Sequence, residues 1–140
     1  MKDTLAEEGE GVVAVIFRME ESDVRRVLAH PTTMIGSDGI SSVEGNPHPR
    51  LYGTFAKVLG THARDEQLFS LEEAVHRMTD LSAQKFRLTD RGVIREGAYA
   101  DIVVFDPRTV ADVGSDQDPR RYPPEIDYVI VHGKITACHG

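Results

Sequence analysis

The chain has 140 residues, 40 % of them hydrophobic and 28 % charged, with a formal charge of −7. That length holds one domain with a core of its own, and the acidic balance argues against nucleic acid, which attracts clustered Lys and Arg. Cys138 is the sole cysteine, which excludes an intrachain disulfide and a cysteine-based zinc motif.

The N-terminal stretch MKDTLAEEGEG is acidic and lacks the apolar core of a signal peptide. The longest apolar run, Val12 to Phe17, is far short of a membrane span. A cytoplasmic location and no membrane partner are expected. The same run suits a strand buried on both faces, as in a parallel sheet. Ser22 is the expected N-cap of a helix, with Asp23 in its first turn. Val24, Val27 and Leu28 mark its apolar face. Pro31 stops it, and a second strand is expected from Thr33 to Gly36. Strand, helix and strand form a right-handed βαβ unit.

Residues 39 to 53, GISSVEGNPHPRLYG, read as a long loop of the kind that carries function. A helix is expected over Phe55 to Ala63. Ser70 and Glu73 form a capping box in which each side chain satisfies an orphaned backbone donor. The stripe Leu71, Ala74, Val75 and Met78 follows, then a break near Thr79 and Asp80 and a short helix carrying Phe86. From Gly92 the period changes. Gly92 to Gly97 reads as a short strand and turn, and Asp101 to Asp106 as a buried strand. Residues 112 to 124 are irregular. Tyr128 to Val131 and Lys134 to Ala137 form a hairpin with Gly133 in its turn. The first ninety residues are thus α/β and the rest all-β, with a boundary between Leu88 and Gly92.

Asp38 is the sharpest candidate for chemistry. It follows the apolar run Met34-Ile35-Gly36 and precedes Gly39, at the C-terminal end of a strand, where α/β proteins place their reactive groups. A turn aspartate occupies the same context. Arg50 suits a carboxylate clamp through two parallel hydrogen bonds, or an ordinary surface position. His48, between Pro47 and Pro49, is the least evidently structural histidine. His30, His62, His76, His132 and His139 include no H-x-H or H-E-x-x-H pattern. Cys138 and His139 read as a frayed end rather than a nucleophile pair.

Four stretches stand in order: DVRRVLAHPTTMIGSDG, HPRLYGTFAKVLG, FSLEEAVHRMTDLSAQKFRL and DRGVIREGAYADIVVFDP. Together they resemble the C-terminal part of the N-acyl-D-amino-acid deacylases, the D-aminoacylases of the amidohydrolase superfamily, from about Val12 to Thr136. The G-x-I-x-x-G-x-x-A-D-I-V-V-F-D segment is shared across amidohydrolases. GSDG with HPRLYGTF points to the deacylase branch.

The resemblance implies a zinc-dependent enzyme that hydrolyses the amide of N-acyl-D-amino acids. Its fold would be a (β/α)₈ barrel carrying a small β-sandwich, with residues 1–90 as the end of the barrel and 91–140 as sandwich strands. Asp38 would lie against the metal, take a proton from its bound water and return it to the departing amine. Arg50 would contact the substrate's carboxylate, with His48 beside it. The family's H-x-H pair, bridging Cys or Glu and further metal histidines are absent from this chain, and a whole barrel needs roughly 250 residues. The chain is therefore expected to be inactive alone and to hold zinc only within a complete enzyme. A complementary N-terminal chain or self-association would supply the rest. The competing readings are a non-catalytic binding module derived from an amidohydrolase and a fragment of a hydantoinase-like cyclic amidase.

Overall fold

A computed structural model of the chain describes residues 19–40 and 46–138. The expected strand Val12 to Phe17 lies outside them, as does His139. Among the described residues the chain forms four α-helices, a π-helical stretch and one three-stranded antiparallel sheet.

The first helix, α1 (Glu21–Ala29), begins two residues earlier than a Ser22 cap allows. Glu20 is its N-cap, with no side-chain cap bond, and the carbonyl of Glu20 accepts the N–H groups of Asp23 and Val24 at 3.0 and 3.2 Å. Leu28 packs against the core while Val27 stays exposed. His30 ends the helix with φ −67° and ψ 131°, the extended conformation that a following proline imposes. Thr33 to Gly36 forms no regular element, and no strand pairs with it among the described residues. A strand needs a ladder, and here the Ile35 N–H instead donates to the carbonyl of Arg77 at 3.3 Å. Ile35 itself is buried.

The next helix, α2 (Arg50–Lys57), starts at Arg50 rather than Phe55 and continues as a π-helix over Val58–Asp65. Pro49 stands at the N-cap with φ −52°, already set for a helix. The wide turns are closed by bonds such as Glu66 N–H to Thr61 carbonyl at 2.8 Å, a five-residue span. Gly53 and Gly60 open one side of this rod. A Cβ at Gly53 would clash with the carboxylate of Asp112, and one at Gly60 with the carbonyl of Val110. The segment after the first strand is thereby seated directly on the helix.

Helix α3 (Leu71–Met78) has half of its expected capping box. Ser70 Oγ accepts the Glu73 N–H at 3.1 Å, but Glu73 Oε1 turns away to take Arg77 Nε–H at 2.6 Å. A charge-assisted bond to guanidinium outcompetes a neutral backbone donor. Thr79 breaks the chain direction at φ −124°, ψ −89°, and α4 (Asp80–Phe86) ends on Arg87 in the left-handed conformation.

Gly92 to Gly97 is not a strand. Both glycines have positive φ, 80° and 82°, so the segment turns back on itself, tied by Tyr99 N–H to Asp90 carbonyl at 3.0 Å. The sheet runs β1 (Ile102–Phe105), β2 (Ile126–Val131), β3 (Lys134–Cys138) in that spatial order. β1 is half exposed rather than buried, with Val103 and Val104 open on opposite faces. Cys138 is the last residue of β3, paired with Tyr128, and so is not frayed. The β2–β3 hairpin turns on His132 (φ 52°) and Gly133 (φ 74°), the two positive-φ positions of a type I′ turn. Asp101 Oδ1 accepts the His132 N–H at 2.8 Å, and Arg91 lies over the Tyr99 ring at 4.4 Å while bonding both Asp101 and His132. The core lies among α2, the π-helix, α3 and Val110. It holds Ile35, Ala56, Val58, Leu59, Ala63, Ala74 and Val110.

Candidate functional site

Asp38 and Arg50 meet. Arg50 Nη2 stands 3.2 Å from Asp38 Oδ2, with the Asp38 side chain 84 % exposed and the Arg50 side chain 38 % exposed. Asp38 adopts φ 48°, a left-handed conformation that costs Asp little compared with most residues. Buried Ile35 fixes the segment three residues upstream, and Gly39 sits against Leu51 at the start of α2. The carboxylate thus projects into solvent beside the first residue of a helix.

His48 organises the same corner. Its Nδ1 accepts the Arg50 N–H at 3.0 Å and its carbonyl accepts the Leu51 N–H at 3.0 Å. The ring takes the place that Ser, Thr, Asp or Asn fill at most helix starts, and an accepting Nδ1 leaves the proton on Nε2. Arg50 Nε is buried without a protein partner. Beside it opens a polar cavity of about 380 Å³ lined by His48, Arg50, Thr54, Lys57, Asp112 and Ser115, among others. Arg50, Thr54 and Lys57 recur at i, i+4 and i+7, a helical stripe that was legible in the sequence but hidden by assigning residues 39 to 53 to a loop. Asp112 lies in an irregular stretch, where no periodicity could reveal it.

The other described histidines have structural partners. His30 Nδ1 bonds Thr32 Oγ1 at 2.9 Å, His76 pairs with Asp80 at 3.4 Å, and His132 sits in the hairpin turn. His62 is buried and bonds Glu66 at 2.9 Å, while Arg25 holds Glu66 Oε1 at 2.6 Å. The Arg25 hydrogen bond first, then that of His62, pulls the Glu66 carboxyl down to about 2.

Glu21, His62 and Glu66 form the one group of three potential metal-binding side chains among the described residues. The Arg25 guanidinium already pairs with its Glu66, and Asp38 is not part of it. The neighbour of Asp38 is a cation, not a second ligand. Asp38 and Arg50 thus stand apart from the Glu21, His62 and Glu66 group.

The amidohydrolase family model matches residues 7–137. The chain belongs to the amidohydrolase family. Over 120 residues it is 52 % identical to a D-aminoacylase of Alcaligenes xylosoxydans xylosoxydans, covering 86 % of this chain and 25 % of that protein. An N-acyl-D-glutamate deacylase of the same organism is 45 % identical over 120 residues, 86 % of this chain and 24 % of the relative. The crystal structure of a D-aminoacylase superposes with a TM-score of 0.88 at 48 % identity, over 96 % of this chain and 28 % of that one. The N-acyl-D-glutamate deacylase of Bordetella bronchiseptica, solved with zinc and a phosphonate that mimics the tetrahedral intermediate, gives 0.80 at 46 % identity, over 84 % and 24 %. The chain spans about a quarter of the length of these amidohydrolases. None of its described helices is long and apolar enough to cross a membrane.

Proposed function

We propose that this chain is the C-terminal part of an N-acyl-D-amino-acid deacylase, supplying its proton-transferring carboxylate, Asp38, and its carboxylate-binding cation, Arg50. The observation that carries the reading is their 3.2 Å approach: a general base and an anion anchor share one corner of an amidohydrolase chain. Residues 1–90 correspond to the end of a (β/α)₈ barrel and residues 91–140 to strands of a β-sandwich. The zinc ligands come from the part of the fold that lies outside this chain, and there the metal supplies Lewis-acid polarisation of the amide carbonyl.

Amide hydrolysis adds one water across the C–N bond. Asp38 accepts a proton as the water oxygen bonds the carbonyl carbon, then delivers it to the amine nitrogen as the C–N bond breaks. Arg50 pairs with the substrate's α-carboxylate through two parallel hydrogen bonds. His48 fixes where that guanidinium starts. The substrate is an N-acyl-D-amino acid, as the names of both curated relatives suggest.

The test is a chimera in which this chain replaces the matching segment of the 52 % identical D-aminoacylase. The zinc-loaded chimera should hydrolyse N-acetyl-D-amino acids, and Asp38→Asn should lower turnover by about 10²- to 10⁴-fold while preserving the fold. A folded chimera that cleaves only cyclic ureides, or that is indifferent to Asp38→Asn, refutes the assignment.

A further inference from the structure

Arg77, in the last turn of α3, has a side chain only 4 % exposed. Burying a guanidinium is costly unless its donors are taken up, so the groups that take them up matter. Nε bonds Glu73 of the same helix at 2.6 Å. Nη1 bonds the carbonyls of Leu28 and His30, the latter at 3.0 Å. Leu28 stands in the last turn of α1, and His30 ends that helix. The backbone of Arg77 holds the same stretch further on, where its carbonyl accepts the Ile35 N–H at 3.3 Å. One residue thus grips the chain at Leu28, His30 and Ile35, and Asp38 follows three residues later.

Thr33 adds bonds to the carbonyls of Val27 and His30, but these tie the stretch to itself and do not locate it against another helix. Arg50 is set independently, by Pro49 and His48 at the start of α2. The Asp38 carboxylate, 84 % exposed, meets Arg50 at 3.2 Å only if the stretch before it is held in place. We infer that Arg77 is a positioning residue: it clamps the path from α1 to Asp38 so that the carboxylate stands beside Arg50. The placement rests on the structure, and its catalytic consequence rests on the proposed function. A displacement of about 1 Å at a reacting group can cost about 10²-fold in rate, so the clamp acts on kcat. Binding at Arg50 does not run through it, so KM is spared.

Three substitutions separate placement from folding. Arg77→Met keeps the apolar stem and removes every donor. Arg77→Lys keeps a cation whose one nitrogen cannot replace both Nε and Nη1. Gly133→Ala strains the distant hairpin and serves as a destabilised control. In the full chain, the NOE between Gly39 and Leu51, which lie side by side, reports where the turn carrying Asp38 sits on α2. It should vanish in Arg77→Met, weaken in Arg77→Lys and persist in Gly133→Ala, with circular dichroism establishing that each variant folds. In the zinc-loaded chimera, Arg77→Met should lower kcat by about 10- to 100-fold, with Arg77→Lys intermediate, Gly133→Ala unchanged and KM unaltered throughout. On an Asp38→Asn background, Arg77→Met should change the residual rate by less than about twofold, because its effect runs through that carboxylate.

A Gly39–Leu51 contact that survives in folded Arg77→Met overturns the inference. So does a loss of kcat that recurs in full on the Asp38→Asn background, or an equal loss in Gly133→Ala, since either marks plain destabilisation. If Arg77→Met does not fold, Arg77→Lys decides: contact and kcat both equal to the parent's overturn the inference. A chimera inactive before any substitution, in a chain that still loses the contact in Arg77→Met, leaves the placement standing and removes the catalytic reading. An active chimera in which Arg77→Met is as fast as its parent does the reverse.

Discussion

Arg50 Nη2 and Asp38 Oδ2 lie 3.2 Å apart, so the group proposed to move a proton and the group proposed to hold the substrate form an ion pair. On the proposed function, a substrate carboxylate at Arg50 would compete with Asp38 for the guanidinium. Because Asn tolerates the left-handed backbone at φ 48°, Asp38→Asn removes the charge without forcing the turn. In the chimera it should lower kcat by about 10²- to 10⁴-fold, measured by steady-state deacylation, with little change in thermal midpoint.

His48 and Arg50 separate positioning from binding. Arg50→Ala should raise KM far more than it lowers kcat, since the anchor acts alike on bound substrate and transition state. His48→Ala removes the acceptor at the helix start and should cost about 1 kcal/mol of stability. His48→Asn restores an acceptor and should recover both stability and KM. Failure of Asn to rescue either quantity removes the capping role.

Arg77 holds together segments far apart in sequence. Its guanidinium is 4 % exposed, bonds Glu73 and the carbonyls of Leu28 and His30, and lies 5.0 Å over the Phe69 ring. Arg77→Ala leaves those partly buried acceptors unpaired and should destabilise the chain by about 1–3 kcal/mol, read from urea unfolding. Loss of less than about 1 kcal/mol, the range of surface pairs, shows the network to be dispensable.

Gly60→Ala places a methyl group against the carbonyl of Val110. Backbone meets backbone there, so no flexible side chain can yield, and a loss of about 1–3 kcal/mol is expected. Gly133→Ala should also destabilise, through its positive φ, but nothing lies near the added methyl. Heteronuclear NMR should therefore show Gly60→Ala shifts spreading to residues 110–112 and Gly133→Ala shifts confined to the hairpin.

Acid should loosen the junction of α1 with the π-helix. The hydrogen bonds from Arg25 and then His62 depress the Glu66 carboxyl to about 2, below its value in an unfolded chain. The unfolded state then binds the proton more readily, so this contribution is complete above about pH 4.5 and disappears as pH falls towards about 2. Glu66→Gln should flatten the stability profile across that window. An identical slope in the variant would assign it elsewhere, with Asp106, held at about 2 by Arg108, the next group to replace.

Elements set by local chemistry were legible in the sequence. Ser70 with the stripe Leu71, Ala74, Val75 and Met78 specified α3, and His132-Gly133 specified the hairpin, because each signal is complete within a few residues. Errors arose where a distant partner decides. Thr33 to Gly36 has strand composition, but a ladder depends on a neighbour. Glu73 has the spacing of a capping box, but buried Arg77 claims it. Helix α2 begins early because Pro49 is already set for a helix and the preceding His48 accepts the Arg50 N–H, a role that ordinary capping preferences do not give to histidine. At the site, Asp38 and Arg50 were visible as residue types in context, and their meeting was not, since only the fold brings a turn and a helix start together.

Val110 and Asp112, pressed into the gaps left by Gly60 and Gly53, turn what reads as slack connection into a strap buckled across the helix that begins with Arg50. Asp112 and Ser115 line the cavity beside that guanidinium. Lengthening or trimming the polar stretch beyond Gly114 would therefore resize that cavity while leaving Asp38 and Arg50 in their native settings.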